Sequence, residues 1–200
     1  MRQQIQFLTR FEQRDGRGMI FHKTSLQDAY LIELEKKGDD RGFFARTMCR
    51  EEFAAHGLDT DYVQQNTSFS AHKGTLRGMH YQLPPYTEAK LVRCIAGAIV
   101  DVIVDLRRQS PTFMKHERFE LNDRNRLQLY VPRGFAHAFQ TVSDDAEVSY
   151  LVSAPYTPSA ERGVRYSDPR LGITWPLPVT VISNKDASWP LLQEGAGAPF

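Results

Sequence analysis

The chain has 200 residues, 41% of them hydrophobic and 24% charged, with a formal net charge of +1. That length buries a sizeable core within one domain, and the near-neutral balance gives no bulk electrostatic case for nucleic acid or an anionic membrane. Two cysteines at unrelated spacing make neither a metal knuckle nor a disulfide scaffold. No apolar run is long enough to span a bilayer, and the N-terminal MRQQIQFLTRFEQRDGRG lacks the apolar stretch of a signal peptide, so the reading is a cytoplasmic protein.

Residues 1–18 are polar and read as an N-terminal extension. One domain follows over 19–190, with a C-terminal tail at 191–200. AYLIELE (29–35) and FFARTMC (43–49) read as strands joined by the charged turn KKGDDRG. REEFAAHG (50–57) is the one good short helix, stopped by Gly57. Strands are expected at YVQQNTSFS (62–70), TLRGMHYQ (75–82), KLVRCIAG (90–97) and AIVDVIVDLR (98–107). Further strands fall at 112–121, 127–131, 136–142 and 146–153, separated by the turns NDRN, PRG and SDDA. LPPYTE (83–88) is excluded from strand interior by its paired prolines. The Pro-rich segment 154–200 reads as an irregular wrapping tail. Many short strands with one short helix argue an all-β sandwich or barrel with inward positions alternating along each strand.

The stretch GTLRGMHYQ (74–82) poses a parity problem. Strand side chains alternate between faces, so Arg77 and His80 should point opposite ways. Both reach one site only if the strand is distorted between them, and Gly78 is where a bulge is expected. Of six histidines, His22, His72 and His116 lie in polar surroundings, and His56 ends the short helix. His80 and His137 instead sit in apolar strands.

Metal catalysis lacks its ligand spacing, because His80 is followed by Tyr81 and Gln82 rather than by a second histidine. No metal or organic cofactor is expected. No GxSxG elbow or Gly-rich phosphate loop is present. General acid–base chemistry fits best. It needs a base near neutrality, a proton donor and a group that stabilises developing negative charge. His80 suits the base, Tyr150 the acid, and Lys90 and Arg77 the charge, although a tyrosine at position 150 also reads as a packing residue.

The ordered set DRGFF (40–44), VQQNTSFS (63–70), GTLRGMHYQ (74–82), KLVRCIAGAIVDVIVDLR (90–107), VPRGFAHAF (131–139), EVSYLVS (147–153), YTPSAERGVRYSDPRLGITWP (156–176) and SNKD (183–186) resembles the dTDP-4-dehydrorhamnose 3,5-epimerase family. The resemblance spans about residues 20–190. It implies a cupin fold, that is, a double-stranded β-helix or jelly-roll barrel, in a homodimer. It also implies a nucleoside-diphosphate 4-keto-6-deoxy sugar as substrate.

By resemblance His80 is the base, Asp186 its partner, Tyr150 the acid, and Lys90 the residue facing the keto oxygen. Arg41, Gln64, Asn66, Arg77, Glu161 and Lys185 match positions that contact the nucleotide sugar. Tyr156 matches the aromatic that stacks on the base, and His137 a second histidine lining the site. Three departures are visible, one of them a turn after Asn66 that is one residue longer than usual. Arg46 stands where the family usually carries an acidic residue, replacing a hydrogen-bond acceptor by a donor beside the expected nucleotide pocket. Ala138 stands where a glycine is usual. Epimerisation at C3 and C5 or at C3 alone, a 3,4-ketoisomerase on the same fold, and a non-catalytic sugar-nucleotide-binding module are the readings the sequence leaves.

Overall fold

The computed structural model describes residues 18–192 and Phe200. The 1–18 extension, except Gly18, and most of the 191–200 tail lie outside the described residues.

Two antiparallel sheets face one another. The first carries β1 (Ile20–Lys23), β2 (Tyr30–Glu33), β10 (Gln128–Val131), β7 (Lys90–Ala96), β12 (Ala146–Val152) and β5 (Gln64–Ser70), in that spatial order. The second carries β13 (Glu161–Gly163), β6 (Thr75–Gln82), β11 (Phe135–Thr141), β8 (Ala98–Asp105) and β9 (His116–Asn122). A short β14 (Val181–Ile182) pairs parallel with the start of β6. β3 (Lys37–Asp39) and β4 (Gly42–Phe44) form a separate hairpin. From β5 to β8 and again from β9 to β13 the chain alternates between the two sheets, with β8–β9 a hairpin within the second, as in a jelly roll. The expected all-β cupin architecture is therefore observed.

Period-2 alternation divides the side chains into three apolar layers. Between the sheets lie Val92, Leu129 and Val148 from one and Ile99, Ile103, Phe135 and Phe139 from the other. Behind the first sheet, Phe53 of α1 (Arg50–Ala55) packs on Ile32, Leu91 and Tyr130. Behind the second, Met79, Val102, Val104 and Ala136 meet Val164 and Leu171 of the C-terminal segment. That segment thus covers an outer sheet face that would otherwise present apolar side chains to water.

Several elements differ from the sequence reading. β6 is found residue for residue at 75–82, and α1 stops at a Gly57 with φ +71°. The expected strand at 43–49 is confined to Gly42–Phe44; beyond it the chain turns into α1. The strand expected from 112 begins at His116, because Ser110 and Thr112 turn inward to hydrogen-bond the buried carboxylate of Asp105 at 2.5 and 2.7 Å. The segment read as irregular beyond 154 holds β13, β14 and the one-turn helix α2 (Asn184–Ala187).

Candidate active site

The parity problem of GTLRGMHYQ is resolved at Gly78. β11 pairs His137 with His80, and then Phe139 with Arg77. Two steps on β11 therefore oppose three on β6, which is a β-bulge. Residues directly opposite one another in a ladder share a face. Continuing across to β8, His137 is level with Ile103, and Phe139 with Asp101. Ile103 and Phe139 belong to the core between the sheets. Arg77 and His80 thus both face the barrel interior, while Met79 between them packs on the outside.

Only glycine fits the bulge. Gly78 has φ +114°, and a Cβ there would lie 2.6 Å from both the Ala138 Cβ and the His137 carbonyl oxygen.

The bulge also creates a hydrogen-bonding need. On the outer edge of β6, β14 pairs with Thr75 and Leu76, and β13 pairs with His80, Tyr81 and Gln82. Gly78 falls between them, and its N–H must be satisfied some other way. α2 follows directly after β14 and supplies Asp186, only 5% exposed, whose Oδ2 accepts the Gly78 N–H at 3.0 Å. The other oxygen, Oδ1, is 2.6 Å from His80 Nε2. Ser183 caps the helix by accepting the Asp186 N–H at 3.1 Å. Burial disfavours the Asp186 anion, but the bonds from His80 and Gly78, the His80 charge and a bond from Trp189 outweigh it and hold the carboxyl below its ordinary value. An ionised carboxylate can only accept, so His80 Nε2 carries a hydrogen on this bond, and in the neutral ring Nδ1 then holds the lone pair.

The first sheet supplies the opposing wall. Tyr150 is level with Asn66 on one side and Val92 on the other. The next inward row is Gln64, Val152 and Lys90. Val92 and Val152 are buried, and Tyr150 packs against the inter-sheet core. Tyr150, Lys90, Asn66 and Gln64 therefore share the inner face opposite His80. Lys90 Nζ is 3.1 Å from Glu88 Oε1, with both side chains only 12% exposed, and Gln82 donates to the other Glu88 oxygen at 3.2 Å.

At the mouth, Glu161 gathers two of the other expected residues. It accepts the Tyr156 hydroxyl at 2.8 Å and Lys185 Nζ at 2.6 and 2.7 Å. Burial opposes its ionisation, but these bonds and the charges of Lys185 and His80 lower its pKa. Gln64 Oε1 accepts the Tyr156 main-chain N–H at 3.2 Å, linking the mouth to β5. Arg77 donates to the Ser70 hydroxyl at 3.1 Å and the Phe69 carbonyl at 2.9 Å.

Arg41 and Arg46 are engaged elsewhere. Arg41 is clamped to Asp39 at the hairpin turn, with Nη2 to Oδ2 at 2.5 Å. Arg46, in the departure from the usual acidic residue, donates to Glu52 of α1 at 2.7 Å, and Glu52 in turn accepts the Met19 N–H at 2.6 Å.

His137 has its own carboxylate. Its Nε2 is 2.8 Å from Asp101 Oδ2, and Asp101 is fully buried, with Oδ1 lacking a hydrogen-bond partner among the described residues. The sequence reading does not single out Asp101. Its signal was a charge on the inward register of the apolar run AIVDVIVD, level with Ile99 and Ile103. Neither Glu88, just beyond the paired prolines, nor Trp189 carries a local pattern that marks it. Among the described residues no three His, Cys, Asp or Glu gather as metal ligands would. Burial, with Asp123 adding to it, pushes the Cys94 thiol up to about 11, which leaves it unreactive at neutral pH.

Known proteins share this chain's sequence and fold. The family model for dTDP-4-dehydrorhamnose 3,5-epimerase matches residues 23–194. A protein of that name from Sinorhizobium fredii is 45% identical over 177 residues, covering 88% of this chain and 91% of its own. The chain belongs to the dTDP-4-dehydrorhamnose 3,5-epimerase family.

Two solved structures extend the likeness to this epimerase family's fold. The Bacillus anthracis dTDP-4-dehydrorhamnose 3,5-epimerase with TDP and PPi bound has a TM-score of 0.85 at 41% identity, covering 88% of this chain and all of that one. A dTDP-6-deoxy-D-glucose-3,5-epimerase from Legionella pneumophila in complex with dTDP-4-keto-L-rhamnose has a TM-score of 0.81 at 39% identity, covering 86% and 92%. Among the described residues no helix is long and apolar enough to cross a membrane.

Proposed function

We propose that this protein epimerises a dTDP-linked 4-keto-6-deoxyhexose at C3 and C5 by proton exchange, without a metal or organic cofactor. The observation that carries the reading is the placement of His80 with Asp186 on one sheet and Tyr150 with Lys90 on the inner face of the other. A base and an acid on facing walls suit inversion, because the proton must leave one face of the ring and return to the opposite one.

The 4-keto group acidifies the C3 and C5 hydrogens. His80 Nδ1 takes one as a proton, and the electron pair moves to O4 as an enolate. Lys90 holds that negative oxygen. Tyr150 then gives its hydroxyl proton to the other face of the same carbon as the ketone re-forms. Imidazolium and tyrosinate return to their starting forms by exchange with water. Asp186 fixes the His80 tautomer and stabilises the imidazolium that forms. His137 lines the same wall beside His80. Arg77, Gln64, Asn66 and the Tyr156–Glu161–Lys185 group bind the nucleotide portion, and Arg41 and Arg46 give further cationic contacts to it once released from Asp39 and Glu52.

The nucleotide assignment follows the relatives, whose complexes hold TDP and a dTDP-linked keto sugar. A homodimer is part of the proposal. β5 is a sheet edge carrying Val63 and Phe69 beside and along it, each 55% exposed, and the β3–β4 hairpin presents Phe44 at 73%. A long edge with apolar side chains is a template for pairing with a second copy. A reducing cytoplasm suits the two free cysteines.

The test is product stereochemistry. The protein is incubated with dTDP-, CDP- and GDP-linked 4-keto-6-deoxyglucose, and ring coupling constants are read by NMR. Inversion at C3 and C5 of the dTDP sugar is the expected result. Inversion at C3 alone makes it a monoepimerase, carbonyl migration to C3 makes it a ketoisomerase, and binding without conversion makes it a sugar-nucleotide module. Light scattering at twice the chain mass tests the dimer.

A further inference from the structure

A residue outside the family motifs touches the His80–Asp186 pair. Trp189 lies three positions after Asp186, and its indole Nε1–H reaches Asp186 Oδ1 at 3.3 Å. This is the same oxygen that receives His80. The indole ring stands edge-on to the His80 imidazole, with centroids 6.2 Å apart and planes at 72°.

Its position is built in from three sides. Gly163 is the cross-strand neighbour of His80, and a Cβ at 163 would fall 2.3 Å from the indole ring atoms. The ring therefore occupies the space that any other residue at 163 would fill. The Trp189 carbonyl accepts Arg165 Nε at 2.8 Å, and the Arg165 N–H reaches the Pro190 carbonyl at 3.1 Å. Lys185 Nζ lies 5.8 Å from the ring centroid. The indole is thus held with its N–H on the carboxylate.

We propose that Trp189 is a positioning residue for the His80–Asp186 pair, setting the basicity of His80 by sharing the carboxylate oxygen that His80 uses. The inference rests on the reading of His80 as the base. An oxygen that accepts two donors is a weaker acceptor for each, and the positive end of the indole N–H dipole beside His80 disfavours imidazolium. Asp186 alone would make His80 more basic and leave more of it protonated at neutral pH. The indole offsets part of that pull while the carboxylate still fixes the His80 tautomer.

The other titratable or charged groups around His80 are Glu161 on β13, Lys185 on α2, His137 with Asp101 across β11 and β8, and Arg77 and Tyr81 on its own strand. Replacing the indole by a phenyl ring removes none of them.

The test is Trp189→Phe, which keeps an aromatic ring over Gly163 and removes the donor. The readout is an NMR titration of histidine-labelled protein, with the His80 resonance assigned by its loss in His80→Ala. The His80 pKa is expected to rise by roughly half a unit in Trp189→Phe, as suits loss of one long hydrogen bond to a charged group. The acidic limb of the kcat/KM profile should move the same way. Trp189→Leu, smaller and also without a donor, carries the same test should the phenyl ring not seat. A His80 titration unchanged or lowered in the folded variant overturns the proposal. The titration reads the pair whether or not the protein turns over. Absence of turnover with a raised His80 pKa therefore sinks the proposed function and leaves Trp189 in its role, and turnover with an unmoved pKa does the reverse.

Discussion

Asp186 accepts the main-chain N–H of Gly78 at 3.0 Å, across 108 positions of sequence. The distortion that turns Arg77 and His80 to one face is the same distortion that leaves this N–H unpaired. The carboxylate that satisfies it is thereby placed 2.6 Å from His80 Nε2. Backbone geometry and the His80–Asp186 pairing are one arrangement.

Gly78→Ala tests the bulge. The new methyl would meet Ala138 and the His137 carbonyl at 2.6 Å in a left-handed backbone conformation. A loss of about 2–4 kcal/mol in denaturant unfolding is expected, from the backbone penalty plus overpacking. Gly172→Ala, also at positive φ but with open space around its Cβ, should cost less. Equal losses would mean that crowding by β11 is not what requires glycine at 78.

Asp186→Asn tests the pair. The exchange rate is expected to fall by about 10²-fold or more, because the amide neither stabilises imidazolium nor fixes the tautomer. Stability should change with a definite sign. The carboxyl is held below its ordinary 3.8 in the native state, so the unfolded chain binds the proton first as pH falls. The contribution is full above 3.8 and is lost as pH drops through the lower native value. Melting curves of the parent and Asp186→Asn should therefore differ most near neutrality and converge in strong acid. A gap that widens on acidification contradicts the assignment.

The extent to which the sequence reveals these features depends on whether the cause is local. β6 and the distortion at Gly78 were legible because alternation, an interior glycine and two polar residues of conflicting parity lie within nine positions. Gly57 was legible as a helix stop for the same reason. The strand expected at 43–49 ran too far, since β-formers there give way to a helix entry. α2 escaped notice because a four-residue helix has no periodicity to read, and its position depends on β14 docking against β6. Asp186 itself was reached only through family resemblance. Its geometric role depends on an unpaired N–H that exists only in the folded sheet. Glu88 beside Lys90 and Trp189 beside Asp186 are likewise products of packing.

Tyr150→Phe separates removal of the proton from its return. His80 is untouched, so C–H deuteration in deuterated water should persist on the His80 face while inverted product falls by about 10²–10⁴-fold. Equal loss of both would assign Tyr150 a part in proton removal or in binding.

Lys90→Met removes the cation proposed to face the enolate while keeping most of the stem's volume. kcat is expected to fall by about 10²–10³-fold with a smaller change in KM. Glu88→Gln keeps the Lys90 cation and should cost far less. A Lys90→Met effect confined to KM would make Lys90 a binding residue.

The most direct measurement is deuterium incorporation at C3 and C5 of the dTDP-linked 4-keto-6-deoxyhexose in deuterated water, with the parent protein and His80→Ala side by side and nucleotide binding checked by calorimetry. The parent should label both carbons, and His80→Ala should bind the nucleotide yet label neither above the uncatalysed rate. Near-parental labelling by His80→Ala, or none by the parent, would contradict the account.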